Sequence, residues 1–263
     1  MNRLLNIGII VTPSIRSIAY LNMFRILGVR PQEAVIIEGD VAPLKELQKE
    51  NDQYHYSRDF FDIYLNPKTF LDAAEGTTVL QTHCNNLNSQ EMHSHLQSLS
   101  CEYLIFSGGG ILTEETLNLG KKFIHVHPGV IPEYRGSTCF YYSLLKDFSL
   151  GATAFFMDKG IDTGNIITIR EYRINYDLQP NQSQFIDFIL DPFIRALTLK
   201  TLLQRYIDNS AILASQQRQD RFQHCFIAHP LLRNLTARKI VSRFQSNSPV
   251  GIFEHSPVNQ HLK

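Results

Sequence analysis

The stretch FIHVHPGVIPEYRG, Phe123 to Gly136, closes an apolar run on two histidines one residue apart and then breaks into prolines and glycines. Alternation along a strand puts Phe123, His125 and His127 on one face and Ile124 and Val126 on the other. Two imidazoles therefore share a face at the carboxyl end of a strand, where open α/β sheets bind their ligands. The residues that follow predict a shaped loop rather than a continuing strand.

Upstream of this stretch, YLIFSGGGIL reads as a strand over Tyr103 to Phe106 running into three glycines, and Thr113-Glu114-Glu115 opens a short helix. Nearer the start, Leu5 to Val11 is a strand, Ser14 to Leu27 a helix stopping at Gly28, and Glu33 to Glu38 a second strand. Residues 51 to 76 read as loops and short helix, and Val79 to Thr82 as a further short strand. Asn88 with Glu91 forms a capping box that starts the next helix. Downstream, Ser137 caps a helix through about Lys146, and ATAFFMD and NIITIREYRI flank the turn KGIDTG as a hairpin. Apolar positions from Phe185 to Leu203 recur at helical spacing from about Gln182, with Asp191-Pro192 either kinking that helix or capping a second one. Strands alternating with helices predict an α/β fold, a Rossmann-like, mostly parallel sheet flanked by helices. Residues 1–206 form its main domain and 207–263 a C-terminal appendage.

The 263 residues are 43% hydrophobic, enough for a sizeable core, and 25 basic side chains balance 25 acidic ones. No bulk field favours nucleic acid or a membrane, so small-molecule chemistry is expected. Cys84, Cys101, Cys139 and Cys225 show no metal or disulfide spacing and read as reduced thiols in a cytoplasmic protein. The first apolar segment carries Asn6 and Gly8 and reads as a buried strand rather than a signal peptide. No run approaches the roughly 20 apolar residues of a membrane span. The sequons at Asn181 and Asn234 read as chance matches.

Gly108-Gly109-Gly110 does not fit a dinucleotide fingerprint, because the loop after the first strand has no glycine. It is either a tight turn or a backbone that a flat ligand approaches closely. The His125-x-His127 pair also suggests metal, with Asp162, His83 or Cys84 as a third ligand, but no second spaced pair supports a metal site. Asp162, between glycines in the turn, reads alone as a turn former.

In chain order the glycine loop, the H-x-H-P-G strand end, Tyr134-Arg135-Gly136 and the Asp162-Thr163-Gly164 turn resemble the folate-dependent formyltransferase family. That family includes the glycinamide ribonucleotide, methionyl-tRNA and amino-sugar N-formyltransferases. The resemblance runs over about Leu104 to Thr168. It implies a catalytic domain that takes a formyl group from N10-formyltetrahydrofolate and passes it to an amine. By the same resemblance His127 and Asp162 are the catalytic histidine and aspartate, and His125 stands where the family carries an asparagine. Ser107, Gly109, Gly110, Ile111 and Leu112 would form one wall of the pterin pocket, and the turn that begins at Asp158 the other.

Formyl transfer needs a neutral amine, a donor for the oxyanion and a proton for the departing nitrogen. His127 would move the proton, Asp162 would orient it, and His125 would donate in place of the asparagine amide. The acceptor is expected over Thr12, Ser14 and Arg16, an anion site at a helix start, with Tyr134 either packing or stacking on substrate. The leading expectation is an N-formyltransferase acting on a small-molecule primary amine, foremost a nucleotide-linked amino sugar, with no nucleic-acid or membrane partner. The alternatives are a formyltetrahydrofolate hydrolase and a catalytically inactive folate-binding protein. Phe222, Phe226, Leu231, Leu232 and Leu235 suggest a homodimer through the appendage, or packing on their own domain.

Overall fold

Nine residues, Arg3–Val11, six of them aliphatic, form β1, and the chain turns over Thr12 to Ser14 into α1 (Ile15–Ile26), capped by Ser14. Residues 3–54, 60–73, 75–177, 183–218 and 223–255 are described in a computed structural model. Next come β2 (Val29–Ile37), α2 (Ala42–Tyr54), α3 (Pro67–Asp72), β3 (Thr78–Thr82), α4 (Gln90–Ser98) and β4 (Tyr103–Phe106). They are followed by α5 (Glu114–Leu117), β5 (Lys122–His127), β6 (Tyr134–Gly136), α6 (Cys139–Lys146), β7 (Leu150–Phe156) and β8 (Ile166–Asn175). A helix then runs through α7 (Ser183–Phe185), a π-helical segment (Ile186–Leu190) and α8 (Asp191–Asn209), and β9 (Gln223–Cys225), α9 (Pro230–Ser242) and β10 (Gly251–His255) complete the order.

Eight strands make one sheet in the order β10-β8-β7-β5-β4-β1-β2-β3, parallel from β3 to β5 and antiparallel from β5 to β10. The expected α/β architecture is therefore present, with the expected hairpin as β7 and β8. The chain builds outward from β1 through β2 to β3 and returns to β4 on the other side of β1. That reversal leaves a crevice at the carboxyl ends of β1, β4 and β5. The alternation read from the sequence holds: Ile124 and Val126 pack into the core under α1 and α8, while Phe123 joins the opposite core with Phe106 and Leu112.

Several local readings shift. Ser89, not Asn88, caps α4, accepting the Met92 N–H at 3.2 Å. Thr138, in the left-handed region at φ 50°, precedes α6 in place of Ser137 and makes no side-chain cap bond. Asp191 does not cap a helix; it forms a bidentate ion pair with Arg195 one turn on. Pro192 lacks an N–H, and the π-helical segment directly before it takes up the break in the hydrogen-bond ladder. Residues 51 to 76 include the end of a full helix, α2. Gln182, Phe222 and the sequon at Asn181 lie outside the described residues.

Residues beyond Tyr206 add β10 to the edge of the main sheet and β9 alongside β6. Leu232 packs against the main core, whereas Phe226, Leu231 and Leu235 are exposed. No helix among the described residues is long and apolar enough to cross a membrane.

Candidate active site

The loop after β5 folds back onto its own strand. Gly129 makes this approach possible, since a Cβ there would sit 2.9 Å from His127 Nε2 and 2.8 Å from the Tyr134 carbonyl oxygen. With that space open, His127 Nε2 reaches the Tyr134 carbonyl at 2.9 Å. The glycine and proline run after the two histidines thus builds the wall that holds the second imidazole.

Asp162 comes from the turn between β7 and β8, with φ at 55°, a conformation aspartate tolerates better than most residues. One carboxylate oxygen, Oδ2, lies 3.3 Å from His127 Nδ1 and accepts the Gly136 N–H at 2.8 Å. Two side chains far apart in sequence therefore converge, the imidazole 2% exposed and the carboxylate 13%. The turn is anchored from behind by Gln217, whose Nε2 donates to the Asp162 and Gly164 carbonyls at 3.1 and 2.6 Å. Gln217 Oε1 accepts from the buried Arg135 guanidinium, so the β5–β6 loop and the aspartate turn are tied through one amide.

This arrangement fixes the proton inventory. Tyr134 offers only a carbonyl to Nε2, so Nε2 carries a hydrogen, and a neutral ring then turns its Nδ1 lone pair toward a carboxylate. Two acceptors at 3.3 Å repel until a proton lies between them, so the pair is built to accept one proton. Burial lowers the His127 pKa and Asp162 opposes that shift.

His125 also lines the cleft, edge-on to Phe155 at 5.9 Å between ring centroids. Its Nδ1 is buried without a partner. Burial, then Arg195, Arg16 and His127 in that order, hold its pKa well below the ordinary range. Burial and the two guanidiniums thus outweigh the neighbouring imidazole. A neutral ring is the resulting species.

The cleft around these groups has a volume of about 430 Å³ and is lined by both histidines, Asp162, Asp158 and Arg16 together with the glycine loop. A side chain added at Gly109 or Gly110 would meet nothing within 4 Å, and Gly110 has φ +107°, so the loop presents bare backbone to open space. Ile111, 71% exposed, and Ile161, 53% exposed, give the lining apolar surface from two separate loops, and Leu112 lies beneath. Asp158 shapes its own turn, accepting from Thr163 Oγ1 at 2.5 Å and the Gly160 N–H at 3.1 Å.

Other expected residues lie elsewhere. Thr12, Ser14 and Ser17 bond one another at the start of α1, and Ser107 closes the set on Ser17 at 2.6 Å and on the Ile10 carbonyl at 2.7 Å. Thr12, Ser14 and Ser107 do not line the cleft because their hydroxyls face this network. Tyr134 is buried with its hydroxyl donating to Asp147, a packing role. Of the suggested third metal ligands, Asp162 faces His127 in the cleft, whereas His83 pairs with Glu38 at 3.0 Å and Cys84 lies 3.0 Å from Ser89 Oγ. Among the described residues no group of three or more His, Cys, Asp or Glu is placed to hold a metal ion.

Sequence reading missed Arg195, which lines the cleft from α8 and donates to the Val126 carbonyl between the two histidines at 3.2 Å. Its signal was the Asp191 partner four residues earlier. It also missed the role of Asn88, which pins the glycine loop by donating to the Ile111 carbonyl and accepting from Thr113 N–H and Thr116 Oγ1, at 2.9, 2.8 and 2.8 Å.

Residues 64–184 match the family model described as Formyl transferase, the stretch that supplies the glycine loop, both histidines and Asp162. That stretch, a little under half of the chain, is what is similar to the formyl transferase family. A methionyl-tRNA formyltransferase of Sulfurimonas denitrificans is 29% identical over 94 residues, 35% of this chain and 31% of that protein. Another, from Halothermothrix orenii, is 34% identical over 109 residues, 38% of this chain and 32% of its own length. The chain thus spans about a third of the curated relatives it matches. Among solved structures, the N-formyltransferase of Helicobacter canadensis in complex with folinic acid and dTDP-3-aminofucose shares the fold, with a TM-score of 0.52 and 14% identity over 91% of this chain and 81% of that one.

Proposed function

We propose that the chain is an N-formyltransferase that moves a formyl group from N10-formyltetrahydrofolate to a primary amine of a small anionic metabolite, foremost a nucleotide-linked amino sugar. The observation that carries this reading is the convergence of His127 and Asp162 on one cleft, with the imidazole clamped by the Tyr134 carbonyl behind it. The bare backbone at Gly109 and Gly110, with apolar Ile111 and Leu112 beside it, suits the flat pterin of a reduced folate. The donor would supply an activated formyl carbon.

The remaining work falls to the chain's own residues. Asp162, the more exposed member of the pair, takes the proton that the attacking amine loses. His127 shares it at Nδ1, and the same carboxylate returns it toward the departing folate nitrogen, so no free acid is needed. His125, kept neutral, donates its N–H to the oxygen that becomes negative, the service an asparagine amide gives in relatives by resemblance. Arg16 and Arg195 add positive potential from the same cleft.

Arg16 supports an anionic acceptor. Its Nη1 donates to the Gly108 carbonyl at 2.7 Å, and among the described residues no carboxylate forms an ion pair with it. A guanidinium so placed is best matched by a phosphate or carboxylate on the ligand. The complex from Helicobacter canadensis, with a reduced folate and a dTDP-amino sugar on the same fold, agrees with this choice.

The test supplies N10-formyltetrahydrofolate with a panel of neutral and phosphorylated primary amines and follows tetrahydrofolate release. Transfer to anionic amines, with a raised KM for those amines alone in Arg16→Gln, is the expected result. Formate release independent of any amine would identify a hydrolase, and tight folate binding without turnover on the whole panel would identify a binding protein.

A further inference from the structure

Two thiols meet directly behind His127. Cys139 opens α6 and Cys225 ends β9, and both are buried in a small cluster with Tyr134. The two thiols hydrogen-bond to each other, and Cys139 Sγ lies 3.4 Å from His127 Nε2. None of the proton transfers above uses either sulfur.

The backbone holds this pair from several directions. Cys225 is the register partner of Gly136 in the parallel β6–β9 ladder, and its carbonyl accepts the Ser137 N–H at 2.8 Å. Thr138 Oγ1 accepts the Ala228 N–H at 2.8 Å and donates to the Phe226 carbonyl at 3.0 Å. The segments that carry the two sulfurs are thus hydrogen-bonded on both sides of them, so the thiols meet by construction and not through a passing rotamer.

The other cysteines differ. Cys101 is buried beside Glu33, and burial followed by that carboxylate pushes its thiol up to about 12. Cys84 is half-buried, with a serine hydroxyl as its neighbour. Cys225, by contrast, lies one residue from the surface, between exposed His224 and exposed Phe226. The hydrogen bond from Cys139 favours its thiolate. Two thiols in contact are the arrangement that oxidises to a disulfide rather than to isolated acids.

We propose that Cys139 and Cys225 form a thiol modification site, oxidised by hydrogen peroxide to a disulfide that joins the start of α6 to β9 and takes Cys139 out of contact with His127. The Cys225 sulfur attacks one peroxide oxygen, the O–O bond breaks, and water leaves with the thiol proton, giving a sulfenic acid. The Cys139 sulfur then displaces a second water. Two S–H bonds have been exchanged for one S–S bond, and two electrons have passed to the peroxide.

The full chain treated with hydrogen peroxide, alkylated and digested should yield a peptide pair joined through Cys139 and Cys225, reversed by dithiothreitol and absent in Cys225→Ala. The His127 ring resonances should move on oxidation and return on reduction. Complete alkylation of both thiols under conditions that oxidise Cys84 would overturn the proposal. So would separate sulfinic acids at the two positions, a cross-link to Cys84 instead, or an unmoved His127 signal in the cross-linked protein. The readouts are mass and ring shift, so their failure is distinguishable from failure of the formyl-transfer reading.

Discussion

Gln217 offers the sharpest perturbation of the site from outside it. Its amide donates to the Asp162 and Gly164 carbonyls and accepts from Arg135, all in the interior. Gln217→Leu keeps the bulk and leaves two buried carbonyls and one guanidinium donor without these partners. At about 1–3 kcal/mol for each buried group left unmade, with partial relief by local movement, the loss should be about 3–6 kcal/mol. Domain stabilities are about 5–15 kcal/mol, so the variant should fold but unfold at clearly lower urea concentration. Freed of its anchor, the aspartate turn no longer fixes Asp162 against His127, and turnover should fall by about 10²-fold, as for misplacement of a reacting group by roughly 1 Å. Gln217→Glu separates the two contacts, because it still accepts from Arg135 but sets a carboxylate oxygen against the two carbonyls. Urea denaturation and formyl transfer, measured on both variants, should show Glu losing turnover like Leu while retaining more stability. Wild-type turnover in Gln217→Glu would refute the reasoning, since the aspartate turn would then be held by something else.

Both histidines are held below their ordinary pKa by burial, so the folded chain stays neutral at positions where the unfolded chain takes up protons. The stability this confers is complete above the unfolded value of about 6.5 and is lost as pH falls from there toward the folded values, at up to about 1.4 kcal/mol per pH unit for each ring. Urea midpoints between pH 7 and pH 5 should fall, and His125→Asn should flatten that fall while retaining formyl transfer. Asn88→Ala removes three bonds to the glycine loop and should raise the KM for the folate donor about tenfold or more, with a smaller effect on kcat. Gly136→Ala places a Cβ 2.4 Å from the Cys225 carbonyl oxygen at φ +105° and should cost at least about 2 kcal/mol in thermal or urea unfolding.

What the sequence revealed was local or ordered. The face shared by His125 and His127 follows from period-two alternation, and α1 from a segment that stops at Gly28. Asp162 looked like a turn former until its place after the histidine strand gave it a second meaning. The start of α2 was missed although Asp40, accepting the Ala42 N–H at 2.8 Å, and Pro43 in the first turn are both helix-start signals. The α4 cap slipped by one residue because Asn88 and Ser89 are both good caps, and the asparagine was needed at the glycine loop. Arg195 and Gln217 act across 69 and at least 53 positions of chain, and β10 reaches back to β8 in the same manner. Nothing in the residues around them encodes those partners, because closure of the sheet decides them.

The most direct measurement compares tetrahydrofolate release from N10-formyltetrahydrofolate by wild type and Asp162→Asn, in the presence of phosphorylated primary amines. The amide keeps the size of the carboxylate and cannot hold the shared proton against His127 Nδ1. Amine-dependent release by the wild type and a drop of about 10²- to 10⁴-fold in the variant is the predicted result. Equal rates in the two proteins would contradict the account, and so would a wild type that binds the donor and transfers nothing.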